Sequence, residues 1–289
     1  MTGSATKIIE CPRDAMQGLD YFISTENKIK YINSLLKVGF DVLDCGSFVS
    51  PKAVPMLADT ADVMDAIDWE DSDTQLLTII ANEKGAVEAG KFPQIQYVGY
   101  PFSISEKFQL RNTNHTIEQS LVTLKNIQQI AHDNGQHVVV YLSMGFGNPY
   151  GEEWNPQLSI DWSRRIAADL GVKIISLSDT IGVATPDNIR HIIAESIKAS
   201  PKVEFGAHLH TRPDNYLANI TAAYEAGCRR FDGAIKGFGG CPFAADALTG
   251  NLPTEHLITF LKEKEQHTHI KQAEFHKAFA VAGEIFMPH

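Results

Sequence analysis

Eight short apolar runs punctuate the chain, at Lys7–Glu10, Val42–Phe48, Leu76–Ile80, Ile95–Phe102, His137–Leu142, Ile174–Ser178, Val203–His210 and Arg230–Ile235. Their Val, Ile and Leu residues follow one another without alternating polar positions, the pattern of parallel strands buried on both faces. Between the runs the apolar spacing changes to three and four. Ile29, Ile32, Leu35 and Leu36 mark a helix that ends before Gly39, and Ile117, Leu121, Leu124, Ile127 and Ile130 mark a longer one that ends at Gly135. Thr185 as cap and Pro186 in the first turn open a third helix through Ile189, Ile193 and Ile197. A fourth runs from about Asn215 to Ala226 and stops at Gly227.

Parallel strands need helical crossovers, and eight of them in about 250 residues close into a filled barrel. The pattern therefore predicts an α/β chain built as a (β/α)8 TIM barrel with a C-terminal helical extension, with a doubly wound open sheet as the alternative. No repeat, low-complexity tract or Pro/Gly/Ser linker divides the sequence, so residues 1–289 are read as one domain, of which 251–289 form the extension. Thr254–Phe286 within it reads as one or two helices covering a barrel face or a partner subunit.

Composition narrows the function classes. An apolar fraction of 44% over 289 residues is ample for a large core. Twenty-five basic against 35 acidic residues give a formal charge of −10, spread along the chain, which argues against a nucleic-acid surface and requires locally placed cations for any anionic substrate. No run of eighteen apolar residues occurs and the first seven residues lack the apolar core of a signal peptide, so the expectation is a cytoplasmic protein without a membrane partner. Cys11, Cys45, Cys228 and Cys241 show neither zinc-ribbon nor thioredoxin-like spacing and are read as reduced thiols.

A barrel collects its chemistry at the C-terminal ends of the strands. His208 and His210 alternate along strand 7, so they share a face with Cα atoms roughly 6.5 Å apart and can grip one cation; as an isolated pair they read more readily as ordinary core or surface histidines. After strand 1, Asp14 offers a carboxylate to the same ion, and Arg13 a planar cation able to hold a carboxylate or a developing oxyanion. Asp44 and Asp179 end strands 2 and 6, where a carboxylate in an apolar strand is costly unless paired; each is a functional candidate or a capping residue. Cys241, between Gly239-Gly240 and Pro242, is either a thiol on a closing loop or a small buried residue. Asn251 can supply an amide oxygen as a fourth ligand or form a turn. The acidic stretch Asp68–Asp73 reads as a solvated helix end without chemistry.

Taken together, the chain resembles 3-hydroxy-3-methylglutaryl-CoA lyases, members of the metal-dependent TIM-barrel lyase and aldolase superfamily. The resemblance spans nearly the whole sequence. It is carried by Pro12-Arg13-Asp14-Ala-Met-Gln17, Ser47-Phe-Val-Ser-Pro-Lys52, Ser176-Leu-Ser-Asp-Thr180, His208-Leu-His210, Gly237-Phe-Gly-Gly-Cys241-Pro-Phe243 and Gly250-Asn-Leu252. It implies a divalent cation, Mg²⁺ or Mn²⁺ with Zn²⁺ also able to enter, held by Asp14, His208, His210 and Asn251. It implies Arg13 at the enolate oxygen, Asp44, Asp179 and His208 in positioning or proton removal, and Cys241 as a proton-transferring residue. Gln17, Ser47, Ser176 and Thr180, with Arg13, would contact the substrate. The implied reaction cleaves 3-hydroxy-3-methylglutaryl-CoA, or a similar 3-hydroxyacyl-CoA, to acetyl-CoA and acetoacetate; a sister aldolase or an acyl-CoA condensing synthase is the alternative. A homodimer or larger homo-oligomer is expected. The sequence departs from the family in four places: Thr211-Arg-Pro-Asp-Asn215 replaces the usual Asp-Thr-Tyr-Gly-Gln, Asp44 replaces Glu, Cys11 replaces Gly, and Asn148 stands where many members have Cys.

Overall fold

The structure is a computed structural model and describes residues 5–240 and 249–286. All eight predicted strands form: β1 (Lys7–Glu10), β2 (Val42–Ser47), β3 (Gln75–Ile79), β4 (Ile95–Ser103), β5 (His137–Ser143), β6 (Ile174–Asp179), β7 (Glu204–Thr211) and β8 (Arg230–Gly233). Each pairs in parallel with the next, and β8 returns to β1 with Ile8 beside Phe231, so the sheet closes into a TIM barrel. The continuous apolar runs divide as two buried faces require. Ile9, Val42, Leu77, Tyr97, Val139 and Tyr141 fill the barrel interior, while Ile8, Leu43, Leu76, Val98, Val140 and Ile175 point outward under the helices.

The helices in chain order are α1 (Pro12–Gln17), α2 (Thr25–Leu36), α3 (Thr60–Ala66), α4 (Glu83–Ala89), α5 (Glu106–Thr113), α6 (Ile117–Asp133), α7 (Pro156–Leu170), α8 (Pro186–Ala199), α9 (Tyr216–Glu225), α10 (Thr254–Glu263) and α11 (Gln272–Phe286). Their ends follow the sequence signals. Thr116 and Gln119 make a reciprocal capping box at the start of α6, and the Thr185 hydroxyl accepts from the Asn188 amide ahead of Pro186 in α8. Gly39 takes φ +91°, and a Cβ there would lie 2.5 Å from the His269 carbonyl oxygen, so this turn admits only glycine.

Two elements differ from the expectation. Strand 8 stops at Gly233 instead of reaching Ile235, because Ala234 bridges to Pro253 and Lys236 adopts φ +61° within a 3-10 turn at Ile235–Gly237. A ninth strand, β9 (Gly250–Asn251), which was not predicted, lies antiparallel on β7.

The extension forms two helices. α11 lies along the outside of α2, with Phe286 edge-on to Tyr31 at 5.5 Å and Phe275 edge-on to Phe40 at 6.4 Å. One end is tied low on the barrel, where the Lys271 amide donates to the Val38 carbonyl. The other reaches the loop after β8, where Phe238 packs on Phe286 at 4.8 Å and the Tyr21 hydroxyl donates to the Ile285 carbonyl.

Glu10, at the end of β1, is fully enclosed; it accepts from the Ile235 amide and meets the Thr254 hydroxyl. Burial pushes its carboxyl up to about 8, against the pull of those two hydrogen bonds. Because the folded value lies above the unfolded one, its contribution to stability is complete below about pH 4.5 and is lost as pH rises through about 8. Glu10→Gln, a neutral isostere, is therefore expected to gain melting temperature relative to the parent protein between pH 5 and 9. Parallel melting curves for the two proteins over that range would show instead that the carboxyl ionises freely.

Candidate metal centre at the strand ends

Pro12 begins α1 directly after β1, and the resulting helical turn gathers Arg13, Asp14 and Gln17. Gln17 is four residues after Arg13 and lies on the same helix face. The Arg13 guanidinium donates through Nη1 to Asp14 Oδ1 at 2.7 Å and Gln17 Oε1 at 2.8 Å, and through Nε and Nη2 to Asp44 Oδ2 at 3.0 and 2.6 Å. Four of its five N–H groups are thus engaged, and the fifth, on Nη2, has no partner among the described residues. Asp44 is completely buried; burial pushes its carboxyl up to about 6, with Arg13 opposing the shift. It is an ionised, bidentate clamp on Arg13 at neutral pH.

His208 and His210 project from β7 with ring centroids 5.3 Å apart, and their Nε2 atoms lie 3.9 and 3.7 Å from Asp14 Oδ2. The other nitrogen of each ring is anchored, His208 Nδ1 on Asp232 Oδ2 at 3.2 Å and His210 Nδ1 on the Thr180 carbonyl at 2.9 Å. Asp14 Oδ2 and His210 Nε2 are buried and have no hydrogen-bond partner among the described residues. Burial alone would raise the Asp14 carboxyl, but Arg13 and the two histidines hold it well below the usual carboxylate range. Asp14, His208 and His210 can hold a metal ion. Asn251 stands opposite His210 in the β7–β9 pair, so their side chains share a face, and its Nδ2 donates to the Phe238 carbonyl, leaving Oδ1 as the ligand-type atom.

The remaining expected residues divide by what they touch. Asp179 accepts from the Val183 and Ala184 amides at 3.0 and 2.9 Å, so both of its oxygens fasten the loop after β6. The hydroxyl of Thr180 accepts from the Met144 amide, joining that loop to the one after β5. Ser176 is fully buried and donates to Asp232 Oδ2 at 3.2 Å, below the site's surface. Ser47 lies at the end of β2, where its amide donates to Thr60 Oγ1 and its hydroxyl accepts from the Val49 amide. Asn148 builds its own loop, accepting from the Tyr150 and Glu152 amides. In the segment that departs from the family, Asn215 Oδ1 accepts from the Arg212 amide at 2.7 Å and Arg212 Nε meets Asp214 at 3.2 Å. Cys241 lies outside the described residues; Cys11, Cys45 and Cys228 are buried free thiols.

Asp232 is the functional-region residue that sequence reasoning passed over. The signal existed: it is a carboxylate inside the apolar run Arg230–Gly233, the same costly placement that singled out Asp44. The acidic stretch Asp68–Asp73 instead borders a recess with Lys7, Asp41 and Gln75, at the opposite end of the barrel.

Comparison with known proteins gives one consistent answer. The model of the HMGL-like family matches residues 7–281. A hydroxymethylglutaryl-CoA lyase of Bacillus subtilis is 32% identical over 90% of this chain and 86% of its own. A 3-hydroxy-3-isohexenylglutaryl-CoA/hydroxymethylglutaryl-CoA lyase of Pseudomonas aeruginosa is 34% identical over 89% of this chain and 84% of its own. The structure of an HMG-CoA lyase of Acinetobacter baumannii in complex with coenzyme A and 3-methylmalate superposes with a TM-score of 0.89 at 30% identity, covering 99% of this chain and 93% of that one.

Proposed function

The chain belongs to the HMGL-like family and is a carbon–carbon lyase, and on that premise we propose that it cleaves 3-hydroxy-3-methylglutaryl-CoA to acetyl-CoA and acetoacetate with a divalent cation, Mg²⁺ or Mn²⁺, held by Asp14, His208, His210 and Asn251. The observation that carries the reading is the convergence of Asp14 Oδ2 and the two Nε2 atoms, of which Asp14 Oδ2 and His210 Nε2 are buried without a partner among the described residues, next to a guanidinium with four of its five N–H groups engaged. Three such donors around one point fit a cation with mixed nitrogen and oxygen ligands. When bound, it supplies positive charge that lowers the pKa of the substrate hydroxyl and fixes its carboxylate.

The protein's own groups account for the rest. Cleavage removes the proton of the tertiary hydroxyl, breaks the bond between C2 and C3, and leaves negative charge on the thioester oxygen. Asp179 is proposed to accept the proton: burial raises its carboxyl, and the oxygens that hold the loop amides keep further lone pairs. Arg13, fixed by Asp44, Asp14 and Gln17, directs its remaining N–H at the growing enolate charge without reorganising. Cys241 returns a proton to carbon, and Ser47 and Thr180 border the acyl group. No described helix is long and apolar enough to cross a membrane. The reading places residues 1–289 in one catalytic domain, working as a cytoplasmic homo-oligomer.

The test is an acyl-CoA panel with and without added Mg²⁺ or Mn²⁺. It includes a substrate with a longer 3-substituent, because a P. aeruginosa relative carries that name and Thr211–Asn215 is where this chain leaves the family pattern. Acetoacetate formation from 3-hydroxy-3-methylglutaryl-CoA, abolished by chelation and restored by metal, is the expected result. Turnover confined to another acyl-CoA would assign the protein to a sister lyase.

A further inference from the structure

The two histidines of the site are supported unequally. His210 Nδ1 rests on a neutral backbone carbonyl, that of Thr180, at 2.9 Å. His208 Nδ1 rests on the carboxylate of Asp232 at 3.2 Å, entirely inside the barrel. The parallel register of β7 and β8 sets His208 and Asp232 side by side, so the contact is built into the sheet and does not depend on a loop. Ser176, on the other side of β7, donates its hydroxyl to the same oxygen, Asp232 Oδ2, at 3.2 Å, and that oxygen is thereby fixed as an acceptor on both sides. Beneath lies Arg230, wholly buried on β8, whose side chain needs a glycine at position 206: a Cβ there would come within 3.0 Å of Arg230 Cδ.

We propose that Asp232, held by Ser176, is the positioning residue that fixes His208 with its proton on Nδ1 and its lone pair on Nε2, aimed at the cation site beside Asp14. A carboxylate has no proton to give, so a neutral imidazole in contact with it must place its own on Nδ1. The nitrogen that faces Asp14 is then the ligand form in the absence of metal, and the negative charge behind the ring makes it the stronger donor of the two histidines. Cys11, His208 and Asp232 also form a group of donors close enough to hold an ion. That arrangement would require displacing the Nδ1 proton from its carboxylate and ionising a thiol that burial pushes up, so the same atoms serve better as a support than as a second site.

The proposal rests on Asp14, His208 and His210 being metal ligands, and the experiment separates the two ideas. Asp232→Asn keeps the shape but can donate to Nδ1. Mn²⁺ affinity is measured by competition with a chelating dye, and the His208 tautomer by long-range ¹H–¹⁵N spectra of the metal-free protein at pH 8.5. The expected result is a loss of Mn²⁺ affinity of about 10- to 100-fold and a switch of His208, but not His210, from the Nδ1–H to the Nε2–H form. Affinity within threefold of the parent, with the tautomer unchanged, would overturn the proposal. If the parent binds no Mn²⁺, the ligand reading fails, and the tautomer measurement still decides what Asp232 does. Should Asp232→Asn not fold, Ser176→Ala carries the test: loosened support predicts at least threefold weaker Mn²⁺ binding, and unchanged binding counts against the proposal.

Discussion

Replacing Arg13 by methionine is expected to lower kcat by a thousandfold or more while the protein still folds and still binds its cation. The loss follows from the role proposed for the guanidinium: four N–H groups lock it in place, and the fifth is the one proposed to meet the growing enolate charge. Removing a single neutral oxyanion donor typically costs about 10²- to 10³-fold, and a buried, charged donor costs more. The fold survives because of Asp44. Its carboxyl already sits at about 6 with the arginine in place, so without that cation it protonates near neutrality and does not remain as an unpaired buried charge. Arg13→Lys should recover little, since an ammonium cannot reproduce the bidentate hold of Asp44. Turnover, Mn²⁺ affinity and melting temperature measured on the same preparations check this. A kcat within tenfold of the parent would remove Arg13 from the chemistry.

The second large effect is expected at the ligand cluster. Asp14→Asn exchanges one oxygen of the carboxylate for an amide and removes its charge, while the arginine contact through Oδ1 can persist. Divalent binding should fall below detection, and activity with it. Thermal unfolding gives a readout free of turnover: a ligand at a hundred times its Kd stabilises a protein by about 2.7 kcal/mol. Saturating Mn²⁺ should therefore raise the melting temperature of the parent by several degrees and leave Asp14→Asn unmoved. Equal shifts in both proteins would place the ion elsewhere.

The barrel was legible because each strand is buried twice, and continuous Val, Ile and Leu runs have few other uses. Asp44 was legible by the same economy, since a charged group in an apolar strand needs a partner; Arg13 and Asp14, in the turn after β1, and the two histidines became a site only through the family resemblance. Partner identity was not legible. That Ser176 serves Asp232, or that Asp232 serves His208, depends on which residues fall abreast in neighbouring strands, and spacing along one strand carries no information about register. Asp179 shows the limit of residue type: the sequence offers a buried acid, and only the geometry shows both oxygens tied to the loop at Val183 and Ala184. β9 was hidden by its length, since two residues show no period.

The position of α11 bears on the order in which the protein can be made. Ribosomal synthesis releases all eight barrel strands, and the helices between them, before Phe275 and Phe286 leave the exit tunnel. Tyr31 and Phe40 have been outside since early in translation, yet each finds an aromatic partner on α11. The nascent barrel can thus pair β8 with β1 while α2 still shows an apolar flank to water. Domains generally fold from the N-terminal end as they emerge, and exposed apolar surface is where chaperones and aggregation compete. The window of greatest exposure is the interval between the emergence of Gly233 at the end of β8 and that of Phe286, roughly fifty residues of translation, or about three to ten seconds at ordinary elongation rates.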